Sequence, residues 1–253
     1  MIIKKNLVYA VIPARSGSKA IKNKNIVMLN NHPLIAHSIV VALKSKIINK
    51  VIVSTDSNSY AKISRKYGAT IPFLRPSNLS TDKSNDLQFF KHLIDTLIDQ
   101  NQVLPEFLVH LRPTTPAREA SKLNEAIKLF KTNKSFTSLR SCHLMEESSY
   151  KNFEIKNNTL ASAFSLDKNL DNFNSPRQNF PSTYRCNGYI DIVRTNHIVK
   201  KNLLHGNKVF PYVTPNVYEV DNQDDLMYLR FLYSSDKYYK KIFLKNFSHY
   251  VKK

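Results

Sequence analysis

Apolar positions along this chain switch repeatedly between two periods. The run "LVYAVIPA" (7–14) is continuously apolar over the length of a strand and predicts one buried on both faces, whereas "PLIAHSIVVALKSK" (33–46) carries its apolar residues at helical spacing. "KVIVSTD" (50–56) predicts a second buried strand, so the opening third reads as a β-loop-α-β unit. A short helix over 59–68, stopped by Gly68, and an apolar stretch at 69–76 follow. The next helix, over 86–100, shows Leu87, Phe90, Leu93, Ile94, Leu97 and Ile98 as one stripe. A strand at 106–116 running into a proline-bounded loop, a helix at 121–133 and a strand at 135–142 continue the alternation.

Between 143 and 176 the period is lost, and short pieces such as "SYKNFEI" and "LASAFSL" stand among Asn, Lys and Ser; this stretch reads as a hairpin arm, a partner contact or a lid. A strand at 188–194 resumes the sheet, and 216–236 predicts a strand, an acidic loop and a last helix. This order predicts an α/β fold with a mainly parallel sheet flanked by helices, as one domain over 1–253. Ligands of such sheets sit beyond the carboxyl ends of the strands, which places the loops at 15–25, 54–57, 75–86 and 112–118 on one rim.

The charge balance changes what that rim is expected to hold. Thirty-eight Lys and Arg against nineteen Asp and Glu give a formal net charge of +19, which draws anionic partners. A basic nucleic-acid-binding module is one reading of that excess, but the Lys is spread along the chain, without interleaved aromatics or a helix-turn-helix glycine pattern, so nucleic acid is not the expected partner. Cys142 and Cys186 are the only cysteines and form no C-x-x-C, which fits a reducing cytoplasm; no run of about 18 apolar residues predicts a membrane span. The histidines, His249 among them, form no H-x-x-x-H or H-E-x-x-H pair and read as surface or packing residues.

"VIPARSGSKAIKNKN" (11–25) concentrates Arg15, Lys19, Lys22 and Lys24 around Ser16, Gly17 and Ser18. It is neither a dinucleotide turn nor a Walker A loop. Small residues let backbone amides approach an anion while Arg15, Lys19 and Lys24 neutralise phosphate oxygens, so a triphosphate is the natural guest. Farther on, Arg112, Arg177 and Arg185 supply guanidinium groups suited to a carboxylate. Glu219 and Asp221, two apart on an expected strand end, point to one side and suit Mg²⁺; the competing reading is that Asp221 to Asp225 cap the following helix.

"IPARSGSKAIKNKN" resembles the opening signature of the cytidylyltransferases that activate nonulosonic acids, the N-acylneuraminate group. "KVIVSTDS" (50–57), "FLRPSNLSTD" (73–82), "HLRPTTPAR" (110–118), "SPRQNFPSTYRCNGYIDI" (175–192) and "YEVDNQDDL" (218–226) follow in that family's order. The resemblance implies a Rossmann-like nucleotidyltransferase fold in which a sugar acid's anomeric hydroxyl attacks the α-phosphate of CTP. It implies that Arg15, Ser18, Lys19 and Lys24 hold the triphosphate, with Lys19, Arg15 and Lys24 catalytic, and that Asn25 and Arg75 read the cytosine. It implies a sugar-acid pocket at Arg177, Arg185, Asn187 and Tyr189, Mg²⁺ at Glu219 and Asp221, and a homodimer built through 143–176. Two positions depart from the family pattern. Arg112 stands where sialic-acid members usually carry Gln, which brings a legionaminate-type acid forward, and Glu219 stands where Asp is common. A deoxyoctulosonate-activating relative is the alternative enzyme.

Overall fold

A computed structural model describes residues 1–164 and 169–248; His249 and residues 165–168 of the expected arm lie outside the described residues. In chain order the elements are β1 (Ile3–Pro13), β2 (Met28–Leu29), β3 (His32–Pro33), α1 (Leu34–Leu43), β4 (Lys50–Ser54), α2 (Asn58–Lys66), α3 (Asp86–Asp99), β5 (Leu104–His110), α4 (Ala120–Thr132), β6 (Ser138–Leu144), β7 (Phe153–Lys156), β8 (Thr159–Ser162), β9 (Tyr184–Arg194), α5 (Thr195–Lys201), β10 (Val209–Val213), α6 (Gln223–Ser235) and α7 (Lys237–Phe247). Among the described residues the main sheet is six-stranded, in the order β10-β6-β9-β5-β1-β4. Parallel pairing joins β1 to β4 and β5, and β6 to β10, while β9 runs antiparallel to both β5 and β6. Because β9 is reversed, it begins on the rim where its neighbours end.

The unbroken apolar run of β1 is explained by its two covered faces. Val8, Ala10 and Ile12 pack with Ile35 and Ile39 of α1 and with Leu123, Ile127 and Phe130 of α4. Tyr9 and Val11 pack on the opposite face with Phe90, Leu93, Ile94 and Leu97 of α3 and Ile198 of α5. A strand flanked this way has no solvent face on which polar residues alternate. Each fully buried Phe, Leu or Ile contributes about 1.5–3 kcal/mol relative to exposure. Asn85 opens α3 with a capping box: its side chain accepts from Gln88 N while the Gln88 side chain accepts from Asn85 N.

Residues 216–222 differ from expectation. They form no strand; Val220 N donates to Thr114 O at 2.8 Å, a single tie that brings the segment to the loop after β5 without a ladder. Nor is α6 the last helix, because α7 packs on it through Tyr233 and Tyr239, and α5 and β10 complete the sheet side. The excursion contains the hairpin β7–β8, turned by Asn157 and Asn158 with φ of 50° and 62°, the conformation a two-residue hairpin needs. Ile155 and Leu160 on it are 76% and 56% exposed.

Candidate active site

Two adjoining cavities occupy the carboxyl rim. The first, about 240 Å³, is lined by Arg15, Ser18, Lys24 and Asn25 from the loop after β1, by Arg75, by Ser84 to Asp86 and Phe89 at the start of α3, and by Arg112 to Thr114 after β5. The second, about 250 Å³, is lined by His143 at the end of β6, Arg185 to Asn187 at the start of β9, and Glu219, Asp221 and Asp225. Lys24 links them, its Nζ lying 3.3 Å from Asp221 Oδ1.

The first loop is tied to the segment after β4 and to itself by hydrogen bonds. Ser16 donates to Asp56 twice, from N at 2.8 Å to Oδ1 and from Oγ at 2.7 Å to Oδ2. Asn25, buried, donates from Nδ2 to Arg15 O at 2.9 Å. The outward cations are paired: Asp82 Oδ1 meets Arg15 Nη1 at 2.7 Å and Asp82 Oδ2 meets Lys19 Nζ at 2.6 Å. Hydrogen bonds from Lys19, then Arg15, hold the Asp82 carboxyl below its usual range. Lys19 itself is 86% exposed and stands outside the wall of the first cavity.

Arg75 is 6% exposed, donates from Nη2 to Ser54 O at 3.0 Å, and lies 5.7 Å from the centre of the Phe89 ring. Among the described residues its buried Nε has no acceptor. A buried donor without a partner costs free energy that a ligand carbonyl restores. Burial lowers the Arg75 pKa.

Arg112 lies on the wall of the first cavity between two carboxylates. Its Nη1 donates to Asp191 Oδ2 at 3.0 Å and its Nη2 to Asp86 Oδ2 at 2.7 Å. Burial alone pulls its pKa down, but the two carboxylates outweigh burial and the net direction is upward. The guanidinium, on the wall of the first cavity, is engaged by two protein carboxylates and joins α3 to β9. His110 sits fully buried 3.8 Å from Asp86 and 3.9 Å from Asp191, with burial pushing its pKa well down.

The residues expected around the sugar acid separate. Arg185 and Asn187 share the second cavity. Asn187 is anchored by Nδ2 donating to Thr214 Oγ1 at 3.0 Å. Arg177 lines another hollow with Met145, Ser148 and Thr183, and its Nη1 donates to Glu146 O. Tyr189 turns to a cavity with Ala117, Tyr212 and Tyr239, its OH accepting from Glu119 N at 3.0 Å.

Glu219 and Asp221 both face the second cavity, but their bonding differs. Glu219 Oε1 accepts from Thr115 Oγ1 at 3.0 Å and Gly188 N at 2.5 Å. Asp221 is 70% exposed and reaches toward Lys24. Capping of α6 falls to Asn222 and Asp225 instead: Asp225 Oδ2 accepts from Asp221 N and Asn222 N, each at 2.9 Å. Among the described residues no group of three or more His, Cys, Asp and Glu is arranged so that it could hold a metal ion.

One structural residue in "HLRPTTPAR" escaped sequence reasoning. Arg118 is fully buried and donates to Tyr189 O, Gly188 O, Arg112 O, Thr115 O and Ser38 Oγ, so one guanidinium fixes the loop after β5 against β9. Burial lowers its pKa to about 10. An arginine beside prolines in a loop carries no periodic signal of such burial.

Residues 9–137 match the family model described as cytidylyltransferase. The chain belongs to the cytidylyltransferase family. Its similarity to the N-acylneuraminate cytidylyltransferase of Escherichia coli O18:K1:H7 (strain RS218 / NMEC) is 34% identity over 217 residues, covering 86% of this chain and 49% of that protein. To the CMP-N,N'-diacetyllegionaminic acid synthase of Legionella pneumophila it is 40% over 139 residues, covering 52% of this chain and 57% of that one. The chain thus spans about half the length of these curated relatives. A solved CMP:2-keto-3-deoxy-manno-octonic acid synthetase complexed with CTP superimposes with a TM-score of 0.67 at 14% identity, over 91% of this chain and 99% of that one, which shows the shared Rossmann-like nucleotidyltransferase fold.

Proposed function

We propose that this chain transfers CMP from CTP to the anomeric hydroxyl of a nonulosonic acid, releasing pyrophosphate. The observation that carries the reading is the first cavity, where Arg15, Ser18, Lys24 and Asn25 line the wall together with Arg75, whose buried Nε has no acceptor among the described residues. Donors at Arg75 and Asn25 suit the cytosine carbonyl and ring nitrogen, and Phe89 backs the base. Arg15 and Lys24 neutralise the phosphates, while Lys19 swings from Asp82 to the charge that grows on the α-phosphate and leaving group.

The acceptor enters the second cavity with its carboxylate toward Arg185. Lys24, between the two cavities, keeps the attacked phosphorus beside both substrates. Proximity of this kind converts a bimolecular encounter into a positioned displacement. The exposed Asp221 suits a hard cation that also takes phosphate and water oxygens, and Glu219 positions the segment through Gly188 and Thr115. Bound there, Mg²⁺ would offset phosphate charge. The similarity to nonulosonic-acid relatives favours those acids over deoxyoctulosonate, for which the likeness is one of fold.

A second part of the proposal is a homodimer through the exposed hairpin β7–β8, whose Ile155 and Leu160 gain cover from a second copy. The free thiols fit a cytoplasmic setting. Among the described residues no helix is long and apolar enough to cross a membrane.

The test is pyrophosphate release with CTP, Mg²⁺ and a panel of N-acetylneuraminate, legionaminate, pseudaminate and deoxyoctulosonate. Turnover of one nine-carbon acid is expected. Absence of turnover with all of them in a folded protein sinks the reading, and a monomer in light scattering at micromolar concentration sinks the dimer.

A further inference from the structure

The two cysteines of this chain are direct cross-strand partners: Cys142 of β6 stands opposite Cys186 of β9. In an antiparallel pair, opposed residues alternate between hydrogen-bonded positions and closer, non-hydrogen-bonded ones. Two observations assign this pair to the closer kind. Met145 N donates to Thr183 O at 3.0 Å, and stepping back along the ladder through Leu144–Tyr184 and His143–Arg185 makes Cys142–Cys186 a non-bonded position. Independently, Cys142 O accepts from Thr214 N at 2.8 Å, so its backbone groups face β10 rather than β9. Non-bonded pairs place their Cα atoms about 4.5 Å apart with both side chains on one face, inside the range a disulfide spans.

We propose that Cys142 and Cys186 form an oxidant-sensitive dithiol that hydrogen peroxide converts to a cross-strand disulfide behind the wall of the second cavity, which Cys186 lines and Cys142 does not. Cys142 is buried and Cys186 exposed, which assigns the order of events. The Cys186 thiolate attacks peroxide, leaving a sulfenic acid and one water. Cys142 sulfur then attacks the Cys186 sulfur and expels the second water, so two thiols and one peroxide give one disulfide and two waters. Cys186 lies between Arg185 and Asn187 and lines the cavity with Glu219 and Asp221. Tying it to β6 pulls the start of β9 and displaces Arg185, while the first cavity, which has no cysteine in its wall, is unchanged. This consequence for turnover rests on the function proposed above; the disulfide itself does not.

The experiment exposes the reduced chain to dilute hydrogen peroxide and reads intact mass, titratable thiols, CTP binding and acceptor-dependent pyrophosphate release. Expected are a monomer lighter by two hydrogen atoms, no titratable thiol, retained CTP binding and turnover lowered roughly a hundredfold, the cost of a displacement near 1 Å, all reversed by dithiothreitol. The variant Cys142→Ala keeps turnover when reduced and never yields the lighter monomer. Two persisting thiols, or oxygen added to Cys186 without linkage to Cys142, overturns the proposal. A disulfide that forms while turnover stays intact overturns the link to the acceptor side. If the reduced chain turns over no acid, the functional reading fails and the mass still decides the disulfide.

Discussion

Lys24 Nζ lies 3.3 Å from Asp221 Oδ1, a contact between residues 197 positions apart in the chain. It closes the cationic loop after β1 onto the segment before α6 and sets the boundary between the two cavities. Because Asp225 and Asn222 cap α6, the Asp221 side chain is left to reach Lys24.

Replacing Asp221 is therefore expected to change metal dependence rather than folding. Asp221→Asn should lower turnover by roughly 10²–10³, the scale of losing one electrostatic contact at the transition state, and raise the Mg²⁺ concentration needed for half-maximal rate. Its melting temperature should stay near that of the parent. Pyrophosphate release titrated against Mg²⁺ checks this, and an unchanged metal requirement removes Asp221 from the metal site. Chelating the divalent ion should abolish turnover of the parent.

Asp82 pairs with Arg15 and Lys19, the cations that the proposed function assigns to phosphate. A carboxylate that must be displaced weakens apparent nucleotide affinity, so Asp82→Asn is expected to lower Kd for CTP several-fold. Isothermal titration with CTP reads it directly; weaker binding in the variant means that Asp82 positions the cations instead.

Gly188 marks a close approach. A Cβ there meets Glu219 Oε1 and Thr115 Oγ1, each at 2.4 Å, inside the hydrogen-bonded corner that fixes Glu219. Gly188→Ala should cost about 1–3 kcal/mol of stability and most of the turnover. At Gly17 a Cβ meets only Arg15 Nη1, at 3.8 Å, so Gly17→Ala should leave the melting temperature unchanged. Denaturant unfolding of both variants provides the comparison.

Stability should also fall on acidification. Burial lowers the His37 pKa to about 3 against an ordinary 6.5, with the Leu29 carbonyl opposing and His32 adding to the shift. Between those values the unfolded chain binds the proton and the folded chain does not, so this contribution is complete above about pH 6.5 and is lost as pH falls toward 3. The slope reaches about 1.4 kcal/mol per pH unit for one such group. Melting temperatures of the parent and His37→Gln across this window should show a shallower decline in the variant; parallel curves reject the assignment.

Sequence by itself determined the alternation of buried strands and amphipathic helices, since continuous apolar runs and a 3.6-residue period are local consequences of which faces are covered. It also determined the cationic loop, whose charges and small residues are contiguous. Only the tertiary structure decided the partners of charges far apart in sequence. Arg112 is clasped by Asp86 and Asp191, Asp221 turns to Lys24 rather than to its helix, and Arg118 disappears into the core. A single register places Cys142 against Cys186. These pairings depend on strand order, on the reversal of β9 and on which loops close over the rim. No local pattern encodes them, because a charged or thiol side chain looks the same in sequence whether its partner is water, substrate or a residue brought up from the other end of the chain.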